Sequence, residues 1–375
     1  MPAEVESDGH FFQIPGKMIR FTPNASLLQH NTFGFDVKAS MLIEYTNEED
    51  LPQIFADSRV AGKRVLHIGR GSNLLFSGDF DGVVLHGKIK GIKVASQSDD
   101  AVLVECGAGE VWDDVCQWCV THGFHGIENL SAIPGEVGAA AVQNIGAYGA
   151  EFADVAVAVA VFDTEQKQNF IISANECQYG YRTSIFKQDE FRGRFIITGV
   201  LMKLMRKAPY NIEYGNIKAA LLERGYSLTQ LNEKRGTKRA MAGKKLITLH
   251  SLRETIVSIR QAKLPDPKHL GNAGSFFKNP VISRLKYAAL CTQWPDMPMY
   301  EVDEECVKVP AGWLIEHSGC KGRRVGNATV FERQCLVLVN NGNAKPEDVI
   351  NLANTIIEVV KDRFDITIEP EVNII

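Results

Sequence analysis

Short apolar runs at strand spacing dominate the first half of the chain, and helical spacing gains ground towards the C-terminus. "MLIEY" (41–45) and "RVLHI" (64–68) read as strands, and "EEDLPQIFADS" (48–58) between them reads as a helix, together a small α+β unit. From "GVVLH" (82–86) onward come the strands "AVLVECGAG", "VAVAVAVFD" (155–163), "QNFII" (168–172) and "FIITGVLMKL" (195–204). One helix, 110–122, lies among them, followed by a long passage rich in glycine, alanine and proline.

After a polar, Gly- and Lys-rich stretch at 223–245, a third section predicts helices at 249–262 and 311–318, the strand "CLVLVN" (335–340) and a long helix through "AKPEDVINLANTIIEVVKDRF". Pro346 followed by Glu347 and Asp348 suits the start of that helix, because proline loses nothing in the first turn and acids complement the helix dipole there. "ITIEPEVNII" (366–375) reads as a closing strand. No internal repeat is visible.

A length of 375 residues predicts two or three domains at about 150 residues each. Apolar residues make up 45% and charged residues 23%, and no stretch approaches the run of about 20 apolar residues that a membrane span needs. The start, "MPAEVESDGHFFQIPGK", has neither the basic opening nor the apolar middle of a secretory signal, so the expectation is a cytoplasmic protein without a membrane role. With a net charge of −4, no nucleic-acid partner is expected. The exception is the basic run "NEKRGTKRAMAGKK" (232–245), read as a solvated excursion before any anchoring of a polyanion.

Cys116 and Cys119 form a CxxC, but Val111, Val115, Cys119 and His122 share one helical face and no second pair lies at zinc spacing. A packed helix is expected there, and no metal.

Two segments have the chemistry of a nucleotide site. In "LHIGRGSNLLF" a strand exits into Gly69, Arg70, Gly71, Ser72 and Asn73, where glycines bring backbone N–H groups close to an anion and Ser and Asn add donors. In "NLSAIPGEVGAAAVQNIGAYGAE" (129–151) small residues surround the polar Ser131, Gln143 and Asn144, a composition that lets backbone approach a large flat ligand. Together they predict a dinucleotide cofactor, diphosphate at one and ring system at the other.

"HNTFGFD", "GRGSNLLF", "IPGEVGAAAVQNIGAYGAE", "YGYRTSIFK", "KLPDPKHLGNAGSFFKNP", "AGWLIEHSGCKG" and "EPEVNII" resemble, in the same order, successive motifs of the UDP-N-acetylenolpyruvoylglucosamine reductase family (MurB) from about residue 20 to the end. The resemblance implies an α+β, three-domain MurB architecture with a PCMH-type FAD-binding region and a C-terminal substrate-binding domain. Its boundaries would be 20–88 for the first FAD subdomain, joined by the C-terminal strand 365–375; 89–245 for the second, with a loop insertion near 207–245; and 246–364 for the substrate domain. Noncovalent FAD would meet Gly69, Arg70, Gly71, Ser72, Asn73, Ser131, Ile133, Pro134, Gly135, Gly138, Gln143, Asn144, Gly146, Ala147 and Tyr148.

The implied activity is reduction of UDP-N-acetylglucosamine enolpyruvate by NADPH, through FAD, to UDP-N-acetylmuramate for peptidoglycan, by a monomer. Ser275 would donate the terminating proton, Arg182 would pair with the substrate carboxylate, and Glu371 would polarise it or relay a proton. Tyr181, Tyr214, Lys263, Asn279 and Gln334 would hold the substrate or seat NADPH, with Tyr214 closing over substrate as in the subtype that has an extra loop in its third domain. The gap from Tyr214 to Lys263 is longer than that subtype's. Two alternatives stay open: another PCMH-type FAD oxidase or dehydrogenase, or a non-catalytic nucleotide-sugar binding protein.

Overall fold

A computed structural model describes residues 11–14, 17–228 and 245–375. The basic run at 232–245 lies, but for Lys245, outside the described residues. The fold is α+β, built as two compact units. One takes Ala39–Gly69 and Asp81–Ala262 together with the chain up to Ala25; the other takes Ser26–Lys38, Arg70–Phe80 and Lys263–Ile375.

The first unit contains two five-stranded sheets. One runs in the order Phe11–Ile14, Lys17–Ser26, Lys38–Tyr45, Phe80–Gly87 and Val65–Ile68, with the last two strands parallel. The other is antiparallel throughout, in the order Gln168–Ser173, Ala156–Asp163, Phe195–Met205, Ala101–Gly107 and Ile92–Gln97. Alternation along Ala101–Gly107 buries Val102, Val104 and Cys106. Against them pack Trp112, Val115, Cys116 and Cys119 of the Trp112–Thr121 helix. That face is wider than the one read from sequence, and His122 lies just beyond the helix, exposed. Burial pushes both thiols well above their ordinary pKa, which suits core residues and not reactive ones. Among the described residues no group of His, Cys, Asp and Glu could hold a metal.

The Gly/Ala-rich passage contains the helix Val137–Gln143, which shows no 3.6-residue apolar stripe in the sequence. Small size is what places it. A side chain at Gly138 would put its Cβ 3.0 Å from the Ala108 Cβ, and Ala140 and Ala141 are fully packed.

In the second unit the strands Gly271–Ser275, Val337–Asn340, Ala328–Val330 and Arg324–Val325 form an antiparallel sheet, and the Pro346–Phe364 helix packs against it. That helix buries Val349, Leu352, Ala353, Ile356, Val360 and Phe364, the amphipathic spacing of its sequence. A three-stranded sheet joins Val281–Ser283, Cys306–Lys308 and Tyr300–Glu301.

The closing strand predicted over 366–375 is a strand only at Asn373–Ile374, parallel to Leu74–Leu75. Upstream, Pro370 bridges to Phe277 but has no N–H to extend a ladder. No helix among the described residues is long and apolar enough to cross a membrane.

Candidate functional site

In the second unit the loop 30–33 is held by glycines from two distant segments. Gly71, at φ 68°, lies where a Cβ would sit 2.0 Å from the His30 carbonyl oxygen, and a Cβ on Gly271 would sit 2.1 Å from that of Phe33. Thr32 N–H donates to Gly71 O at 3.3 Å, and Asn272 N–H donates to Thr32 O at 2.9 Å. Only residues without side chains let backbone approach this closely. The "HNTFGFD", "GRGSN" and "GNAGS" segments therefore belong together physically.

Ser275 ends its strand directly after Gly274, which takes φ 69°. Its side chain is half-buried and makes no hydrogen bond among the described residues. Phe276 and Phe277 behind it are each 1% exposed, with ring centroids 5.1 Å apart at 61°. Phe276 N–H donates to Leu336 O, and Phe276 O accepts from Glu371 N–H, both at 2.7 Å. Asn73 closes the group, its Nδ2 donating to Glu371 O at 3.2 Å. Ser275, Glu371 and Asn73 thus come together, with Ser72 half-buried and Arg70 exposed along the same loop.

Asn279 and Gln334 meet at one helix start. Asn279 Oδ1 accepts the Ala311 N–H at 2.9 Å, and a Cβ on Gly312 would lie 3.1 Å from Gln334 Oε1. Lys263, which closes the Leu249–Lys263 helix, is exposed.

In the first unit Arg182 occupies a two-residue turn. Gly180 and Thr183 exchange both backbone hydrogen bonds at 3.1 Å, and Tyr181 and Arg182 span the tip. Arg182 adopts φ 56°, the left-handed region that costs a non-glycine residue roughly 1–2 kcal/mol. Its Nη2 donates to Gly146 O at 2.7 Å, while its own carbonyl accepts from Lys187 Nζ at 2.9 Å. Lys187 Nζ also donates to Gln143 Oε1 at 2.9 Å. Gly146 and Ala147 form a strand paired with Ala150–Glu151.

The segment leading into the Val137–Gln143 helix is strained and braced. Ala132, between Ser131 and Ile133, takes φ 57°. Its N–H donates to Asp113 Oδ1 at 2.6 Å, and its carbonyl accepts from Arg260 Nε at 3.2 Å. Burial alone would raise the Asp113 carboxyl, but Arg253, bridged at 2.6 Å, and the Ala132 N–H hold it below its ordinary value. Ser131 is fully buried, its Oγ donating to Glu128 O at 2.7 Å. Gly135 takes φ 128° and is buried, whereas Pro134 is exposed. Tyr148, at φ 51°, has its phenol pushed up by burial, against the pull of the Arg260 guanidinium. Gly69 packs on Glu136, 2.9 Å from a would-be Cβ to Oε2, and Glu136 pairs with His86 at 3.1 Å. Tyr214 lies beside Gly149 and is 37% exposed.

Sequence reasoning missed Asp113, Lys187 and Arg260. Arg260 lies one helical turn before Lys263, a spacing that marks it as sharing that face. Asp113 and Lys187 act on backbone carbonyls or N–H groups, which no side-chain pattern announces.

Residues 266–375 match the C-terminal domain of UDP-N-acetylenolpyruvoylglucosamine reductase, and residues 39–166 match an FAD binding domain. The chain is 45% identical over 350 residues to the UDP-N-acetylenolpyruvoylglucosamine reductase of Bacteroides fragilis, covering 93% of this chain and 98% of that one. It belongs to the UDP-N-acetylenolpyruvoylglucosamine reductase family. The Flavobacterium johnsoniae member is 42% identical over 353 residues, covering 94% and 98%. The crystal structure of UDP-N-acetylenolpyruvylglucosamine reductase (MurB) from Thermus caldophilus shares the fold, with a TM-score of 0.62 at 21% identity over 96% of this chain and 99% of that one.

As a member of this reductase family the chain is an FAD-dependent oxidoreductase, and its residues fit the cofactor. Asn129 Nδ2 donates to Tyr148 O and Asn211 O, both at 2.8 Å, so the amide orientation is fixed. Its Oδ1 is buried with no hydrogen-bond partner among the described residues, an acceptor suited to a ligand donor.

Proposed function

We infer that the chain reduces UDP-N-acetylglucosamine enolpyruvate to UDP-N-acetylmuramate at the expense of NADPH, a cytoplasmic step in peptidoglycan synthesis. The observation that carries this is the Ser275 hydroxyl held on a glycine turn, one residue from the Phe276 carbonyl that anchors Glu371. FAD held by the chain would supply the hydride chemistry, passing the reducing equivalents of NADPH to the terminal enolpyruvyl carbon. Negative charge then builds at the carbon beside the carboxylate.

Ser275 gives that carbon its proton. A carbanion is basic enough to take one from an alcohol held at contact distance, so no histidine is needed. Glu371 returns a proton to the serine through its carboxyl or a water. Arg182 stabilises the carboxylate where charge accumulates, its guanidinium offering a fork of donors of which one rests on Gly146 O. Phe276 and Phe277 keep water from the reacting carbon. Lys263, Asn279 and Gln334 contact the substrate's diphosphate and uridine or help seat NADPH, Tyr181 flanks Arg182, and Tyr214 closes over bound substrate.

Gly69, Arg70, Gly71, Ser72 and Asn73 would hold the diphosphate of FAD, and the 131–148 segment would hold its ring. The three-part division at residues 88, 245 and 364, with the chain acting as a monomer, completes the proposal. Purified protein given NADPH and the enolpyruvyl nucleotide should yield a product two hydrogens heavier, one per NADPH consumed, by mass spectrometry. NADPH consumption with the nucleotide recovered unchanged would overturn it.

A further inference from the structure

The Arg182 turn is held from three sides by groups to which the reaction assigns no chemistry. Asn144, fully buried and at φ 44°, spends its whole side chain inside the protein. Its Nδ2 donates to Gly180 O and to Glu151 Oε2, each at 2.8 Å, and its Oδ1 accepts the Ala153 N–H at 2.9 Å. Gly180 is the first residue of the Arg182 turn, and Glu151 belongs to the strand paired with Gly146–Ala147. Lys187 grips the far side through the Arg182 carbonyl. Gly146 receives the guanidinium, and a Cβ there would lie 2.8 Å from Arg182 Nη1.

We propose that Asn144 and Lys187 are positioning residues for Arg182, acting on the carbonyls of Gly180 and Arg182, and that Gly146 lacks a side chain so that the guanidinium can rest on its carbonyl. The Gly180–Thr183 turn calls for a positive φ at its third residue, and an arginine there carries a backbone strain that glycine would not. Two donors on its flanking carbonyls, with a third carbonyl under its guanidinium, over-determine it. An arginine set in advance pays no reorganisation when charge appears on the substrate, and a misplacement of about 1 Å can cost about 10²-fold in rate. Asn144 and Gly146, expected as cofactor contacts through the family resemblance, would thus also serve to position Arg182. Asn144 offers no side-chain donor to any ligand, since both its amide hydrogens are engaged.

The proposal rests on the role given to Arg182, and a double-mutant design separates the two. Three variants remove one grip each: Asn144→Gly, which tolerates φ 44°; Lys187→Met, which keeps the stem and loses the amine; and Gly146→Ala. Gly146 lies outside the left-handed region, and a Cβ there would meet Arg182 Nη1 first, at 2.8 Å, then Glu151 Cγ at 3.0 Å and Ala150 O at 3.2 Å, so alanine displaces the guanidinium and also presses on the paired strand. In anaerobic stopped-flow, each variant should slow reoxidation of the reduced flavin by the enolpyruvyl nucleotide about 10- to 100-fold, and in Lys187→Met, whose residue has no part in holding the cofactor, NADPH-driven reduction should stay unchanged. In an Arg182→Ala background the same substitutions should add no further slowing. Equal slowing with and without Arg182, or none in either, would overturn the positioning role. An Arg182→Ala single variant that reoxidises at the wild-type rate would overturn the role of Arg182 itself. Should Asn144→Gly fail to fold, Gly146→Ala and Lys187→Met decide the matter.

Discussion

Glu371 N–H donates to the carbonyl of Phe276 at 2.7 Å, which fixes the Glu371 backbone one residue along from Ser275. The proton donor and the carboxylate assigned to serve it therefore cannot drift apart while the 276–278 and 369–371 segments stay paired. Lys278 N–H to Glu369 O, at 2.9 Å, extends the same pairing. Ser275→Ala should leave NADPH-driven flavin reduction unchanged and slow substrate-driven reoxidation by about 10² to 10⁴, the usual span for a positioned acid. Stopped-flow absorbance of the flavin separates the two half-reactions, and equal slowing of both would remove Ser275 from its role.

Glycines at 71 and 271 carry a structural prediction. Alanine at Gly71 meets the His30 oxygen at 2.0 Å and must also adopt φ 68°, whereas alanine at Gly271 meets the Phe33 carbonyl, oxygen at 2.1 Å and carbon at 2.7 Å, without a positive φ. Adding roughly 1–2 kcal/mol of backbone strain to roughly 1–3 of overpacking gives a loss of about 2–5 kcal/mol for Gly71→Ala and a smaller one for Gly271→Ala. Thermal melts of the two variants should rank in that order. A Gly71→Ala protein as stable as the wild type would mean that the 30–33 loop is not held as described.

His67 gives the fold an acid limit. Its imidazole pKa is lowered from 6.5 to about 4, chiefly by burial and then by His86 nearby. The Tyr45 hydroxyl, whose phenol burial pushes upward, shares a 3.0 Å hydrogen bond with His67 Nε2, which the neutral ring serves as donor or acceptor according to its tautomer. Between those two pH values the unfolded chain binds a proton that the folded one refuses, so stability rises with pH there. The contribution is complete above about pH 6.5 and is lost as pH falls towards about 4. On the order of 2 kcal/mol should be lost across that window in the wild type, and less in His67→Gln, by denaturant titration at each pH. Parallel curves for the two proteins would show that another group sets the limit.

Much of this fold is legible in the sequence because its signals are local. Pro346 and the acids after it mark the first turn of the Pro346–Phe364 helix, and the apolar spacing fixes the face that packs. Elements whose signal is not local went unseen. Val137–Gln143 is a helix selected by close approach to Ala108, where smallness matters more than hydrophobic period. The predicted strand 335–340 begins only at Val337, because Gln334 O accepts the Val337 N–H in a turn. At the site, Ser275, Arg182 and Glu371 emerge as a set only through the joint pattern of motifs. Asp113, Lys187 and Asn144 grip backbone groups brought to them by folding, and a side-chain pattern carries no trace of such a partner.

The most direct measurement is the anaerobic absorbance of the protein-bound flavin, first with NADPH and then with UDP-N-acetylglucosamine enolpyruvate. Bleaching by NADPH followed by full recovery on adding the enolpyruvyl nucleotide is the predicted result, one equivalent of each per flavin. Bleaching that persists in the presence of the nucleotide would contradict the assigned acceptor and place the chain's reducing equivalents elsewhere.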